Sequence, residues 1–316
     1  MNLAHIHLLL NHFPTIGTII ALGLLLAALV GKSDELKRAS LVIFLGIALL
    51  TIPTYVTGNA AQEAICMGPK EAPCIDPGVS KPLIQAHEGA ALLSFVFMEI
   101  TGAFAWLGLW RFRRTSHLSR VNLSVVLLLS MVTLGLVVNA ANIGGEIRHP
   151  EIRSGPETTM TDKPLGRQVG SFVLDHTWMW PTCETLHFIG LSLLFGVAAV
   201  VDLRMLGMMK NVPFPALHRL LPWGILGFGI NLITGMLFFV GASEQYTQNP
   251  VFQWKLVLMM LAAVNVLYFT VFEEVWVVGP GEDAPLLAKA VAASALVLVF
   301  GVMYCGRMLP FLGNAF

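Results

Sequence analysis

The sequence predicts an all-α integral membrane protein with eight transmembrane helices in two four-helix halves. Three observations carry that prediction. Of the 316 residues, 56% are hydrophobic and only 12% are charged. Several apolar stretches reach the roughly 20 residues that a helix needs to cross the hydrocarbon core. Lysine and arginine gather in alternate short connections, as they do where loops face the cytoplasm.

The spans are expected near Pro14 to Val30, Ser40 to Asn59, Leu83 to Trp110, Val121 to Asn142, Pro181 to Leu206, Leu220 to Val240, Val251 to Val271 and Pro285 to Met303. Proline is favoured at the first helical position, where its missing N–H costs nothing. On that ground Pro14 and Pro181 open the first and fifth spans, while Pro82 and Pro215 precede the third and sixth. Pro53 should kink the second span.

The first connection carries Lys32, Lys37 and Arg38, the third Arg111, Arg113, Arg114 and Arg120, and the fifth Arg204, Lys210 and Arg219. Placing these basic loops inside puts both termini outside, in a bacterial inner membrane. The acidic connection after the seventh span, with Glu273, Glu274, Glu282 and Asp283, then lies inside without basic support. The first apolar run lacks a basic leader and an A-x-A site, so no cleavable signal is expected. A net charge of zero argues against a nucleic-acid partner or a polybasic lipid-binding surface.

The domain organisation follows: residues 1–150 as a first four-helix module, 151–180 within a polar outer connection, and 181–316 as a second module. The connection contains GPETTMTDKPLGRQVG and no apolar run long enough to span. Four helices per half means that both halves enter from one side, so any repeat is parallel.

Cys66 and Cys74 bracket CMGPKEAPC on the outer side, which reads as a disulfide in an oxidising compartment, with a metal pair as the alternative. Cys183 and Cys305 read as buried thiols, and the lack of C-x-x-C-H argues against covalent haem attachment.

Histidines point to a site. Seven of nine fall on the outer side: His5, His7, His12, His87, His149, His176 and His187. His117, inside RFRRTSHLSR, and His218 belong to the inner side, a bilayer core of about 30 Å away. His12, His87 and His187 are expected deepest, near helix N-termini whose partial positive charge favours the neutral imidazole that binds metal. Haem b held between neighbouring helices needs such imidazoles, apolar walls and small residues such as Gly17, Gly58, Gly89, Gly144 and Gly190. The same glycines suit close helix packing, and the same histidines suit an interfacial polar belt satisfied by water. On the haem reading, His12 and His87 are the axial pair, and His187 serves a second centre with His176 as partner and His7 in reserve.

Other polar groups divide similarly. Glu88 and Glu184 could orient imidazoles or lie at the surface. Glu99, mid-helix in LLSFVFMEITGAFAWLGLW, must carry its proton or face a polar interior. Asp202 and Arg204 should pair locally, and Lys255 should snorkel beside Trp254.

HLLLNHFP at His7 to Pro14, TGNAAQE at Thr57 to Glu63, HEGAALLSF at His87 to Phe95 and NIGGEIRHPE at Asn142 to Glu151 together resemble an uncharacterised bacterial family of four-helix membrane proteins with a His-x-x-x-x-His-Phe-Pro opening. LHFIGLSLLFGVAAVVDLRMLG at Leu186 to Gly207 resembles a second uncharacterised membrane family with an Asp-Leu-Arg-x-Leu-Gly signature. The resemblances imply a fusion of two haem-type or redox-associated modules.

Three function classes follow. One is a b-type haem electron-transfer subunit of a respiratory or redox complex, linking quinol and an outer c-type cytochrome and leaving open a quinone site. The others are a transporter or metal permease and a cofactor-free anchor subunit. Without a recognisable nucleophile, phosphate loop or dinucleotide fingerprint, no autonomous enzyme is expected. The segment Ile143 to Trp180, ending in WMW, is the expected docking surface for other subunits or a periplasmic redox partner.

Overall fold

The computed structural model describes residues 3–66, 74, 79–149, 153, 165–272 and 274–312. The protein is all-α, with eight helices long and apolar enough to cross a membrane and no strand among the described residues. Two compact units divide at 168/169. Large apolar side chains such as Val30, Val121, Leu128, Ile233 and Val297 stand exposed along these spans, as contact with lipid tails requires.

Unit 1 holds α1 (Leu3–Leu10), α2 (His12–Gly31), α3 (Asp34–Ile65), α4 (Lys81–Thr115) and α5 (Arg120–Arg148). The first span therefore opens eleven residues before Pro14. Pro14 sits in the first turn of α2 but not at a free chain start, because α1 already runs through His5 and His7. Helix α2 packs on α3, α3 on α4, α4 on α5, and α5 returns to α2, closing a four-helix ring with α1 laid on α3. At 35 residues α4 is about 52 Å long, well beyond the hydrocarbon thickness.

Helix α3 continues through Pro53, which leaves the Leu49 carbonyl without its helical N–H. Thr51, Thr54 and Thr57 hydroxyls donate to the carbonyls of Ile47, Leu50 and Pro53 around that point. The apolar core is Leu22, Leu25, Leu41, Phe44, Met98, Leu109, Leu123 and Val126 with their neighbours. These residues fill the half of the ring toward the α2–α3 and α4–α5 turns. The other half carries the histidines.

Cys66 at the end of α3 is disulfide-bonded to Cys74, closing the connection toward α4. The expected docking segment is described only in part, since residues 150–152 and 154–164 lie outside the described residues, as does Glu273. The unit division falls within the short helix α6 (Leu165–Asp175), at 11 residues too short to span.

Unit 2 holds α7 (Met179–Met205), α8 (Phe214–His218), α9 (Leu221–Gly241), α10 (Ser243–Gln248), α11 (Pro250–Val271) and α12 (Leu286–Met308). Its spans lie in the order α9, α7, α12, α11. Helices α7 and α9 approach closely where Gly190 and Gly227 meet, each backbone occupying the space a methyl group would need. His218 belongs to the separate helix α8 and is buried.

Arg204 does not pair with Asp202, because residues two apart on a helix point to opposite sides. Its fully buried guanidinium donates to the carbonyls of Val212 (2.7 Å), Gly279 (3.2 Å) and Glu282 (3.3 Å), and lies 4.6 Å from the centre of the Phe214 ring. One side chain thus ties the α7–α8 and α11–α12 connections together. Gly207, at φ +96, lets the chain turn there, beside an Asp283 carboxylate bonded by Lys210 and Lys289.

Candidate functional site

The nine histidines sort by exposure. His5, His12, His117, His149 and His176 are exposed, His7, His87 and His187 are half-buried, and His218 is buried. His12 shares its side of α2 with exposed Ile16 and Ile19, whereas Pro14, Thr18, Ala21 and Leu25 face the core. The deep histidine at the N-terminal end is therefore His7, and His12 is turned outward.

His7 and His87 are held in parallel ways. His7 Nδ1 lies 3.0 Å from the Thr54 carbonyl, and its ring covers Gly58, one turn further along α3. His87 Nδ1 lies 2.8 Å from the Ala140 carbonyl, and its ring covers Gly144, one turn further along α5. A Cβ at either glycine would stand 3.0 Å from the imidazole Cε1, so the ring lies flat against a helix backbone that only glycine leaves open.

A carbonyl can only accept, so in both rings Nδ1–H is the donor. Nε2 is left with its lone pair. That is the tautomer of a metal-ligating imidazole whose other nitrogen is oriented by a backbone acceptor.

The two imidazoles are within electrostatic range of each other. Helix register places the His7 ring, level with residues 54–58 of α3, about two turns further into the bundle than the His87 ring. No three His, Cys, Asp or Glu side chains converge among the described residues, so the arrangement offers two nitrogen ligands rather than a closed metal cage.

Unit 2 carries a third pinned ring. His187 Nδ1 is 2.7 Å from Thr234 Oγ1, whose own proton is engaged at the Ile230 carbonyl (2.8 Å). The hydroxyl oxygen must then accept from Nδ1–H, and Nε2 is again free. Phe238 lies beside this ring and also packs against Trp180. The expected partner His176 is exposed, with Nδ1 directed at the Phe172 carbonyl of its own helix and its ring between Phe172 and Trp178. No contact joins it to His187 among the described residues.

Glu184 accepts from Trp180 Nε1 at 3.3 Å, and Glu99 Oε1 is buried without a partner. Sequence reasoning undervalued His7, although its carbonyl and glycine partners follow a countable pattern: both lie on one helix, four residues apart.

The fold and these three rings define a class, the polytopic α-helical membrane proteins with imidazoles fixed inside their bundles. No protein-family model, no curated protein and no solved structure matches this chain.

Proposed function

We propose that unit 1 is a b-type haem module with His7 and His87 as its iron ligands. We further propose that the protein serves as an electron-transfer subunit between quinol and an outer c-type cytochrome in a bacterial inner membrane. One observation carries the reading: two half-buried imidazoles on different helices, each with Nδ1–H held by a carbonyl, Nε2 free and a glycine beneath the ring. Bis-imidazole iron needs both free nitrogens, so the two rings, about two turns apart along the bundle, would have to close that offset as the group binds; bound haem would supply one-electron chemistry at membrane depth.

The chain's own part is to fix tautomer and ring orientation and to exclude water with the apolar walls around Tyr55 and Phe95, whose rings lie 5.2 Å apart. On the same reading His187, whose ring Thr234 holds, would be the ligand that unit 2 offers to a second centre. On this reading the two units are fused redox modules, and other membrane subunits complete the complex.

The test is a pyridine-haemochrome assay and reduced-minus-oxidised spectrum of the purified full chain, with four variants. His7→Ala and His87→Ala should each abolish a low-spin b-type signal, whereas His12→Ala and His117→Ala should retain it. A haem-free protein from a haem-replete host would overturn the reading. So would loss of the signal in His12→Ala with retention in His7→Ala.

A further inference from the structure

Glu99 stands mid-way along α4, and its Oε1 is buried with no hydrogen-bond partner. Its height in the bundle follows from helix register. Gly102 of α4 meets Ala48 of α3, and the Phe95 ring lies 5.2 Å from that of Tyr55. In an antiparallel pair each step forward on one helix is a step back on the other, so Glu99 is level with Thr51, two residues from Pro53.

The opposite flank of α3 is registered by His7 Nδ1 at the Thr54 carbonyl, Gly17 on Ile47, and Ser40 Oγ donating to the Ala21 carbonyl. The same reasoning sets Thr51 level with residues 10–14. Asn11 lies there, at the joint of α1 and α2, and its Oδ1 is also buried without a partner. The remaining orphan side-chain oxygen of unit 1 among the described residues, Asn122 Oδ1, lies near the other end.

The orphaned atoms at this height are all acceptors. Asn11 Oδ1 is an amide oxygen, Glu99 Oε1 a carboxyl oxygen, and the Leu49 carbonyl has lost its helical donor to Pro53. No cation is placed to hold a carboxylate. Between residues 39 and 62 α3 has Tyr55 as its one titratable group, α2 has only outward-facing His12, and α5 has none between Arg120 and Glu146. On α4 the nearest are His87 and Glu88, three turns away, and His7 of α1 lies about a turn above. An unpaired carboxylate at membrane depth is disfavoured, whereas the neutral acid supplies a donor for those orphaned acceptors.

We propose that Glu99 is a proton-binding site inside unit 1, its carboxylic O–H directed to Asn11 Oδ1 either directly or through one water. Uptake is a single transfer from hydronium to the carboxylate, which forms the Glu99 O–H bond and leaves water. This site does not depend on the haem reading, because its donor and acceptors belong to the chain alone.

The experiment is infrared spectroscopy of the full chain in lipid nanodiscs at neutral pH, with carbodiimide labelling as a measurement independent of any variant. A carboxylic C=O band should be present, vanish in Glu99→Gln, and move to higher frequency in Asn11→Leu, where its hydrogen-bond acceptor is gone. A hydrophobic carbodiimide, which adds only to a protonated carboxyl, should label Glu99 in the wild-type chain. Absence of both the band and the adduct would overturn the site. An unmoved band in Asn11→Leu would overturn the pairing, and protection of Glu99 by sodium ions would replace the proton with a metal cation.

Discussion

Gly144→Ala tests the histidine site with little effect on the fold. The new Cβ would stand 3.0 Å from His87 Cε1 and 3.2 Å from Nδ1, where carbon contacts ordinarily lie at about 3.5–4.0 Å. The ring must retreat by roughly half an ångström, which stretches the 2.8 Å bond to Ala140 beyond the ordinary range. Losing that bond costs about 1 kcal/mol net, while alanine in place of glycine within a helix gains about 1 kcal/mol. The two nearly cancel, so the unfolding temperature should move by no more than about 3 °C. The imidazole should change a good deal. Nitrogen-15 spectra of labelled histidine should show the His87 Nδ1–H signal shifted or exchanging faster, and the b-type spectrum should weaken. Gly135→Ala on the same helix is the control, since a Cβ there meets nothing within 4 Å; it should gain the helix term and leave His87 untouched. Wild-type His87 signals in Gly144→Ala would refute the account of how this ring is held.

Arg204→Met should destabilise unit 2 by about 3–5 kcal/mol, because three buried carbonyls lose their donor while relief of the unpaired Nη1 offsets only part of the loss; thermal unfolding in detergent would measure it, and a wild-type melting curve would count against the clamp. Reducing Cys66–Cys74 should cost roughly 2.5 kcal/mol from freeing a short closed loop, read as a melting shift that Cys66→Ser does not show on added reductant. The hydrogen bonds from Lys210 and then Lys289 hold the Asp283 carboxyl below the usual carboxylate range. That carboxylate therefore adds stability above its unfolded value and loses it as pH falls through the lowered folded one, so Asp283→Asn should flatten the acid limb of the stability profile.

The eight spans and the disulfide were readable from the sequence because each rests on a local signal: an apolar run of membrane length, or two cysteines across a short turn-rich loop. Helix beginnings were less so. Pro14 reads as a first helical residue, yet α1 precedes it, and the eight residues after Pro213 hold α8 and then the first residue of α9. Arg204 shows another limit. A charged pair two residues apart invites a salt bridge on paper, but helix geometry separates the two side chains, and the true partners lie up to 78 residues away. Carbonyl acceptors carry no mark in a sequence, since every residue has one.

The choice between His7 and His12 shows why membrane helices conceal which side faces inward. Five residues apart at 100° each, the two side chains differ by about 140° around the helix axis, so a single interior can take only one of them. In a water-soluble bundle the polar face would show which. Here Leu8, Leu9, Ile16 and Ile19 are exposed to the apolar surroundings while Leu22 and Leu25 are buried against the core, so both faces carry the same residue types. What distinguishes them is the small residue opposite. His7 needs Gly58 on α3, as His87 needs Gly144 on α5, and each glycine lies four residues beyond the carbonyl that its histidine holds. A histidine on one helix with a glycine and its carbonyl one turn apart on the next is a spatial pattern. It becomes readable once the helix neighbours are known, and it selects His7.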